Sequence, residues 1–237
     1  MQLTPAQIQD DLAFWLNQDR EHNLFFTLGF QDPMLKRMAE KLYVSYDNAL
    51  RRGNLQMALL TVVPQAQIFK AEALGILRSP WGAGKAGYIW PSFVEHTKRE
   101  IDMMLARLRP GGVSSRDEIY FGDRMLAEHA AFASHLLDPV EQRDLSDTAH
   151  AASKNVFTLA NRCATETLET LVALSQQAQN TLDGFMHNSA VAQGALIHPV
   201  LAEHVIREGQ RFGGFLTAVP NDERQIAPPR PAPMLGA

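Results

Sequence analysis

The chain is short of the residues that would place it in several common classes. It has one cysteine, Cys163, in 237 residues. A single thiol excludes an internal disulfide and any cluster of thiolate metal ligands, and it points to a reducing compartment. Charge of one sign is also lacking: 22 Lys and Arg stand against 26 Asp and Glu, a formal net charge of -4. No basic field therefore argues for nucleic acid or an anionic membrane as a partner. No apolar run approaches the roughly 18 residues that a membrane span needs. Met1 to Pro5 shows no basic stretch followed by an apolar one, the mark of a secretory signal. A soluble cytoplasmic protein is the expectation. Sustained strand-like alternation is missing, as are Gly-x-Ser-x-Gly and His-Glu-x-x-His. The glycine-rich stretch from Trp81 to Gly87 lacks phosphate-loop spacing and a preceding strand, so it reads as a loop.

What is present is helical periodicity. Phe14, Trp15, Gln18, His22, Phe25 and Leu28 recur at three- and four-residue steps along one stripe. Thr4-Pro5-Ala6-Gln7 and Asp138-Pro139-Val140-Glu141 each offer an N-cap, a proline at the first helical position and a side chain that can reach back. Asp32-Pro33 lacks only the returning acid, and Ser115 to Glu118 reads as another capping box. Pro91 and Pro199 suit the first turns of two further helices. The spacing predicts helices over about 5–29, 33–52, 54–78 and 91–108, the third kinked at Pro64, then over about 116–137, 139–161, 164–187 and 199–218. Pro110-Gly111-Gly112 is a natural break. This gives a first helical-bundle repeat over 1–110, a second over 111–220, and a proline-rich, extended tail over 221–237.

The halves are linked by a ten-residue pattern that occurs twice. Pro91, Glu95, His96, Arg99 and Glu100 are matched in identity and spacing by Pro199, Glu203, His204, Arg207 and Glu208. Upstream of each copy stands a second pair, Glu21-His22 and Glu128-His129. Matched residues lie 106 to 108 apart, from Asp32 and Asp138 to His96 and His204, so the expected fold is a tandem duplication of one all-helical topology. His96 and Glu100 are four apart and project from one helical face, as do His204 and Glu208. An imidazole and a carboxylate on adjacent turns can bind one metal ion or bridge two. Glu21 and His22 diverge by about 100° around a helix. His22 is preferred as the inward residue because it shares the stripe of Gln18 and Phe25, but Glu21 lies almost as close. Spacing leaves both open, and likewise His129 and Glu128. Glu72 is the best candidate from the remaining helix of the first half. Counting by 108 places Asn180 opposite it, a weaker ligand, with Glu166 and Glu169 as displaced substitutes.

Each of these signals has a plainer reading. One Glu-His pair is more often a surface charge beside a satisfied histidine. Arg99-Glu100 and Arg207-Glu208 can be repeated salt-bridge edges, and ancestry alone preserves identity between halves. Against that, most other positions have drifted, while four of the eight histidines keep matched places beside matched acids. His135, His150, His187 and His198 have no repeat partner and are read as structural or exposed. Cys163 is read as a small buried residue.

These motifs resemble a known family. Residues 14–30 look like the opening helix of a duplicated all-helical family of bacilli and related bacteria, catalogued as a domain of unknown function and described as metalloprotein-like. Residues 124–139 resemble its second-half counterpart, and His198 to Glu208 its closing helix. The resemblance covers about residues 10–218. It implies two fused four-helix bundles of ferritin-like, up-down shape with metal inside, and it brings no reaction. The motif departs from di-iron ferritin-like proteins, which use Glu-x-x-His on two helices. Here the order is His-x-x-x-Glu, and the companion His-x-x-x-His of hemerythrin-like bundles is missing. No ferroxidase, oxygenase or oxygen-carrier role is carried over.

Three functions follow as expectations. The first is a metal-binding helical-bundle protein, with an oxidoreductase acting on a small molecule as its catalytic form. Its divalent ion is iron by preference, with manganese and zinc admitted by nitrogen and carboxylate ligands. His96, Glu100, His204 and Glu208 would be ligands, His22 and His129 would complete the set, and Glu21 and Glu128 would ligate or fix histidine tautomers. The second is metal binding without catalysis, for sensing, storage or stapling. The third is a metal-free helical interaction module with a buried hydrogen-bonded network. The sequence leaves oligomeric state open.

Overall fold

Capping chemistry sets most of the helix starts. Gln7 N donates to Thr4 Oγ1 at 3.3 Å while Thr4 N donates to Gln7 Oε1 at 2.9 Å. This reciprocal box opens α1, Pro5–Gly29. Asp32 Oδ1 accepts from Met34 N and Leu35 N at 2.9 and 3.1 Å, which starts α2, Pro33–Arg51. The next stretch is split into α3 (Leu55–Met57), a π-helical turn (Ala58–Val62) and α4 (Val63–Leu77). The kink expected at Pro64 is therefore taken up just before the proline. Val63 N reaches back five residues to Ala58 O. In a regular helix the Pro64 ring would crowd the Leu60 carbonyl, and the wider turn relieves that. α5, Pro91–Arg107, follows.

The computed structural model describes residues 4–80, 82, 84, 87–138, 140–190 and 197–224. Among these every regular element is helical, and no helix is long and apolar enough to cross a membrane. The chain divides into two compact units, Met1–Val113 and Ser114–Ala237. Residues 225–237, most of the expected tail, lie outside the described residues, as do Trp81, Ala83, Lys85 and Ala86 of the glycine-rich loop and Pro139.

The second unit holds α6 (Ser115–Leu136), α7 (Arg143–Asn161), a 3₁₀ turn (Arg162–Ala164), α8 (Leu168–Ala190), α9 (Pro199–Ala218) and a short α10 (Asn221–Arg224). Two expected starts are corrected. The cap of α6 is Ser114, whose Oγ accepts from Asp117 N at 3.1 Å, while Ser115 is buried and bonds Glu223. α7 begins at Arg143 rather than near 139. Asp138 Oδ1 accepts from Val140 N and Glu141 N at 2.8 and 2.9 Å, but the turn it caps only leads into the helix.

Burial follows a recurring register. Leu35, Leu42, Tyr46 and Ala49 are buried, and so are Gln142, Ala149, Ser153 and Val156, each 107 residues later. Ala66, Lys70, Ala73 and Leu77 of α4 are buried, and so are Ser175, Gln179, Leu182 and Met186 of α8, each 109 later. In α1 the expected stripe holds at Trp15, Gln18, His22 and Phe25 but fails at Leu28, which is 59% exposed. Phe26 and Phe30 turn inward instead. They pack with Phe69 and Phe93 at ring separations of 5.5 to 6.2 Å. At the corresponding register the second unit has Ala133 and Ala178 in place of Phe26 and Phe69. A cavity of about 300 Å³ opens among α6, α7 and α8, lined by Ala178 and by Leu126 and Ala130 of α6.

Candidate metal centre

In the first unit, α1 carries His22, and α5 carries His96 and Glu100 one turn apart. His22 Nε2 lies 3.1 Å from Glu100 Oε2, and His96 Nε2 lies 2.8 Å from Glu100 Oε1. All three side chains are buried, none more than 3% exposed. The two imidazole rings stand nearly perpendicular, centroids 6.5 Å apart. Phe93, one turn before His96, stacks on the His96 ring at 6.4 Å and meets the His22 ring edge-on at 6.2 Å.

The second unit builds the same group from α6 and α9. His129 Nε2 lies 3.1 Å from Glu208 Oε2, and His204 Nε2 lies 3.3 Å from Glu208 Oε1. These three are equally buried. In each unit, therefore, one carboxylate meets two Nε2 atoms, one per oxygen. Two donors about 2.1 Å from a common ion and near right angles to each other sit about 3 Å apart. The observed spacings match that, and the residue types suit a hard or borderline divalent ion. Each imidazole–carboxylate pair thus fits two donors of such an ion.

The remaining predicted residues fall elsewhere. Glu21 is buried beside residues of its own helix, with Asn17 Nδ2 at 3.3 Å and Arg20 Nη2 at 3.6 Å. Glu128 is half-buried and accepts from Arg124 Nε at 3.1 Å. Glu72 is exposed on α4 and is not brought to the buried group. The buried register of 109 puts Thr181, not Asn180, at its counterpart position, and both are exposed. Glu166 pairs with Arg162 at 2.7 Å, and Glu169 is exposed. Arg207 lies 3.9 Å from Glu203. Of the unmatched histidines, His198 caps α9 by accepting from Val200 N, while His150 and His187 are exposed. Cys163 is buried, and burial first, then nearby Asp123, pushes its thiol up to about 12.

Sequence reasoning missed the polar groups behind His22. Asp19 Oδ1 faces His22 Nδ1 at 3.6 Å and is ion-paired to Lys70 of α4. Lys70 Nζ also donates to Thr97 O of α5 at 3.0 Å. Lys70 is fully buried and Asp19 is 3% exposed. Burial alone would push the Asp19 carboxyl up, but Lys70 and His22 together hold it well below the usual carboxylate range. Burial, and then the Asp19 charge, hold the Tyr46 phenol of α2 well above its ordinary value. Two signals pointed there. Asp19 is three residues before His22 on one helical face, and Lys70 sits on the buried stripe of Ala66, Ala73 and Leu77.

Fold and side chains together define an all-helical protein with buried His/Glu groups that could hold a divalent cation. No protein-family profile matches the chain. It is similar to an uncharacterised protein, L567, of Acanthamoeba polyphaga mimivirus, at 22% identity over 86% of this chain and 78% of that protein. Among solved structures it is similar to the crystal structure of an uncharacterised protein from Bacillus cereus G9241. There the TM-score is 0.78 at 16% identity, covering 94% of this chain and 92% of that one. That likeness shows the fold. It is all-helical, as expected from the sequence, and neither relative's name carries an activity.

Proposed function

We propose that the chain is a tandem duplication of a ferritin-like, four-helix up-down bundle, with repeats over 1–110 and 111–220, that binds divalent metal. The ligands are His22, His96 and Glu100 in the first repeat and His129, His204 and Glu208 in the second. One observation carries this reading: in each unit two imidazole nitrogens meet a single buried carboxylate within 3.3 Å. Ionisable groups are rarely taken from water without a strong partner, and a cation supplies one. The repeated motif and the recurring burial register support duplication. Iron is the favoured ion, with manganese and zinc inside the range of the donors. A bound ion with an open position would supply Lewis-acid or redox chemistry, which is the oxidoreductase form of the proposal. The protein's part is to hold the donors dry and aligned, with Phe93 walling the first group. A closed shell would instead suit storage, sensing or stapling. The cytoplasm is the compartment assigned, on the lone cysteine.

A second reading has its own support, because 2.8 to 3.3 Å is also hydrogen-bond distance. The same residues would then be a metal-free network inside a helical interaction module.

Elemental analysis of protein purified without a tag or chelator, beside a His96→Ala, His204→Ala double variant, separates the two. Stoichiometric iron, manganese or zinc that is lost in the variant is expected. Neither protein holding metal, even after reconstitution, would leave the network reading. Spectral change when the reduced, loaded protein meets oxygen would select the redox form.

A further inference from the structure

We infer that Asp19 and Lys70 are positioning residues: a buried ion pair that sets the tautomer of His22 and tightens metal binding by the first unit's group. The inference rests on the metal reading of His22.

A fully buried lysine paired to a buried aspartate is an expensive feature. Such a pair contributes less stability than well-packed apolar residues of the same size, so the core alone does not call for it. The second unit shows that the packing can be reached without it. Asp19, Tyr46, Lys70 and Thr97 correspond in register to Leu126, Ser153, Gln179 and Val205, all buried and none charged. Yet His129 and Glu208 keep the 3.1 Å separation that His22 and Glu100 have. What the pair adds is specific to His22.

The geometry says what that is. Lys70 Nζ holds Asp19 on α1 and the Thr97 carbonyl on α5, the residue beside His96. Thr97 Oγ1 in turn donates to Val94 O at 3.0 Å. One ammonium thus ties together the helices that bear all three ligands of the first group. Asp19 turns an oxygen to His22 Nδ1 at 3.6 Å, and its charge favours the proton on Nδ1, which leaves the Nε2 lone pair for an ion on the Glu100 side. A carboxylate behind a ligating imidazole fixes ring orientation and raises its basicity, and its loss costs about 10- to 100-fold in metal affinity. In the second unit Leu126 stands at the position corresponding to Asp19.

The test exchanges the pair for what the second unit has, Asp19→Leu with Lys70→Gln. Removing both charges avoids leaving one buried alone. Zn(II), and Fe(II) under anaerobic conditions, are titrated against a competing chelator. The expected result is affinity about 10- to 100-fold weaker, with the circular dichroism and melting of the metal-free protein retained. Unchanged affinity in a folded double variant overturns the inference. Should that variant lose its helical spectrum, Asp19→Asn with Lys70→Met keeps the shape of both side chains without either charge, and its affinity must still fall. Nitrogen-15 NMR of metal-free wild type gives a readout that does not need metal. The His22 Nδ1 proton is expected to be present and protected, and lost in the double variant. An unprotonated Nδ1 in wild type overturns the positioning role. Absence of metal binding beside a protonated Nδ1 overturns the metal reading instead.

Discussion

Asp123 shows what a buried carboxyl does when no cation reaches it. It is fully buried on α6, where Ser175 Oγ donates to Oδ2 at 2.9 Å and Oδ1 has no hydrogen-bond partner among the described residues. Burial pushes its pKa up to about 7 against the smaller downward pull of Ser175. Asp19, equally buried, is held low because Lys70 is there. The consequence for stability has a definite sign. Between about pH 4 and pH 7 the native carboxyl keeps a proton that the unfolded chain has released, so stability falls as pH rises through that window and levels off above it. Asp123→Asn keeps the shape and cannot ionise. Its stability relative to wild type should therefore grow from pH 4 to pH 7, reaching a few kcal/mol at about 1.4 kcal/mol per unit of pKa. Urea midpoints measured across pH 4 to 8 check this, and parallel profiles for the two proteins would assign the titration elsewhere. At this scale the sequence was legible only in part. His22, His96, Glu100 and their counterparts, which lie buried together within each unit, stood out in the sequence because they repeat. Asp19, Lys70 and Asp123 have no matching residue in the other unit, and a signal built on repetition is blind to them.

Helix packing turns on small residues in ways that spacing does not report. Gly122 lies where α6 meets α9. A Cβ built there would sit 2.2 Å from the Phe212 ring, which is itself buried. Gly75 of α4 has nothing within 4 Å of the same construction and is exposed. The two glycines should respond oppositely to alanine. Gly75→Ala is expected to stabilise by about 0.5–1 kcal/mol, because it removes backbone freedom from the unfolded chain and meets no contact. Gly122→Ala is expected to destabilise by about 1–3 kcal/mol, because the ring or the helix must move. Denaturant unfolding reads both, and a neutral Gly122→Ala would mean that the α6 and α9 faces are not held in contact through Phe212. Helix existence and order were legible because prolines and capping side chains mark starts chemically, as at Thr4, Asp32, Pro91 and Pro199. Starts were misplaced where two signals competed. Adjacent serines offered two caps, and Ser114 won over Ser115. Asp138 capped a turn before the helix rather than the helix. Pro64 was legible as a disturbance, but whether a chain answers a proline with a bend or a π-turn depends on packing at Ala58 and Val62, both buried.

For the whole molecule the question is what the buried His and Glu groups contribute to stability. With 46% hydrophobic residues the chain has ample apolar material for a core, yet six ionisable side chains of the two groups occupy buried positions. If they exist to bind metal, the ion binds the native chain and not the unfolded one, and stability must rise with free metal. At a hundredfold excess over the dissociation constant the gain is about 2.7 kcal/mol. For a chain of 150–250 residues each kcal/mol moves the melting temperature by about 2–4 °C. Zn(II)-loaded protein should therefore melt roughly 5–10 °C above chelator-treated protein. In the His96→Ala, His204→Ala variant the two curves should coincide, because each substitution removes one imidazole from a carboxylate that needs both. A network without metal predicts otherwise. Chelator then leaves the wild-type curve unmoved, while the double variant still melts lower, since Glu100 and Glu208 would each be buried with one donor fewer. Loaded, chelated and variant curves taken together thus assign the groups to a metal or to one another.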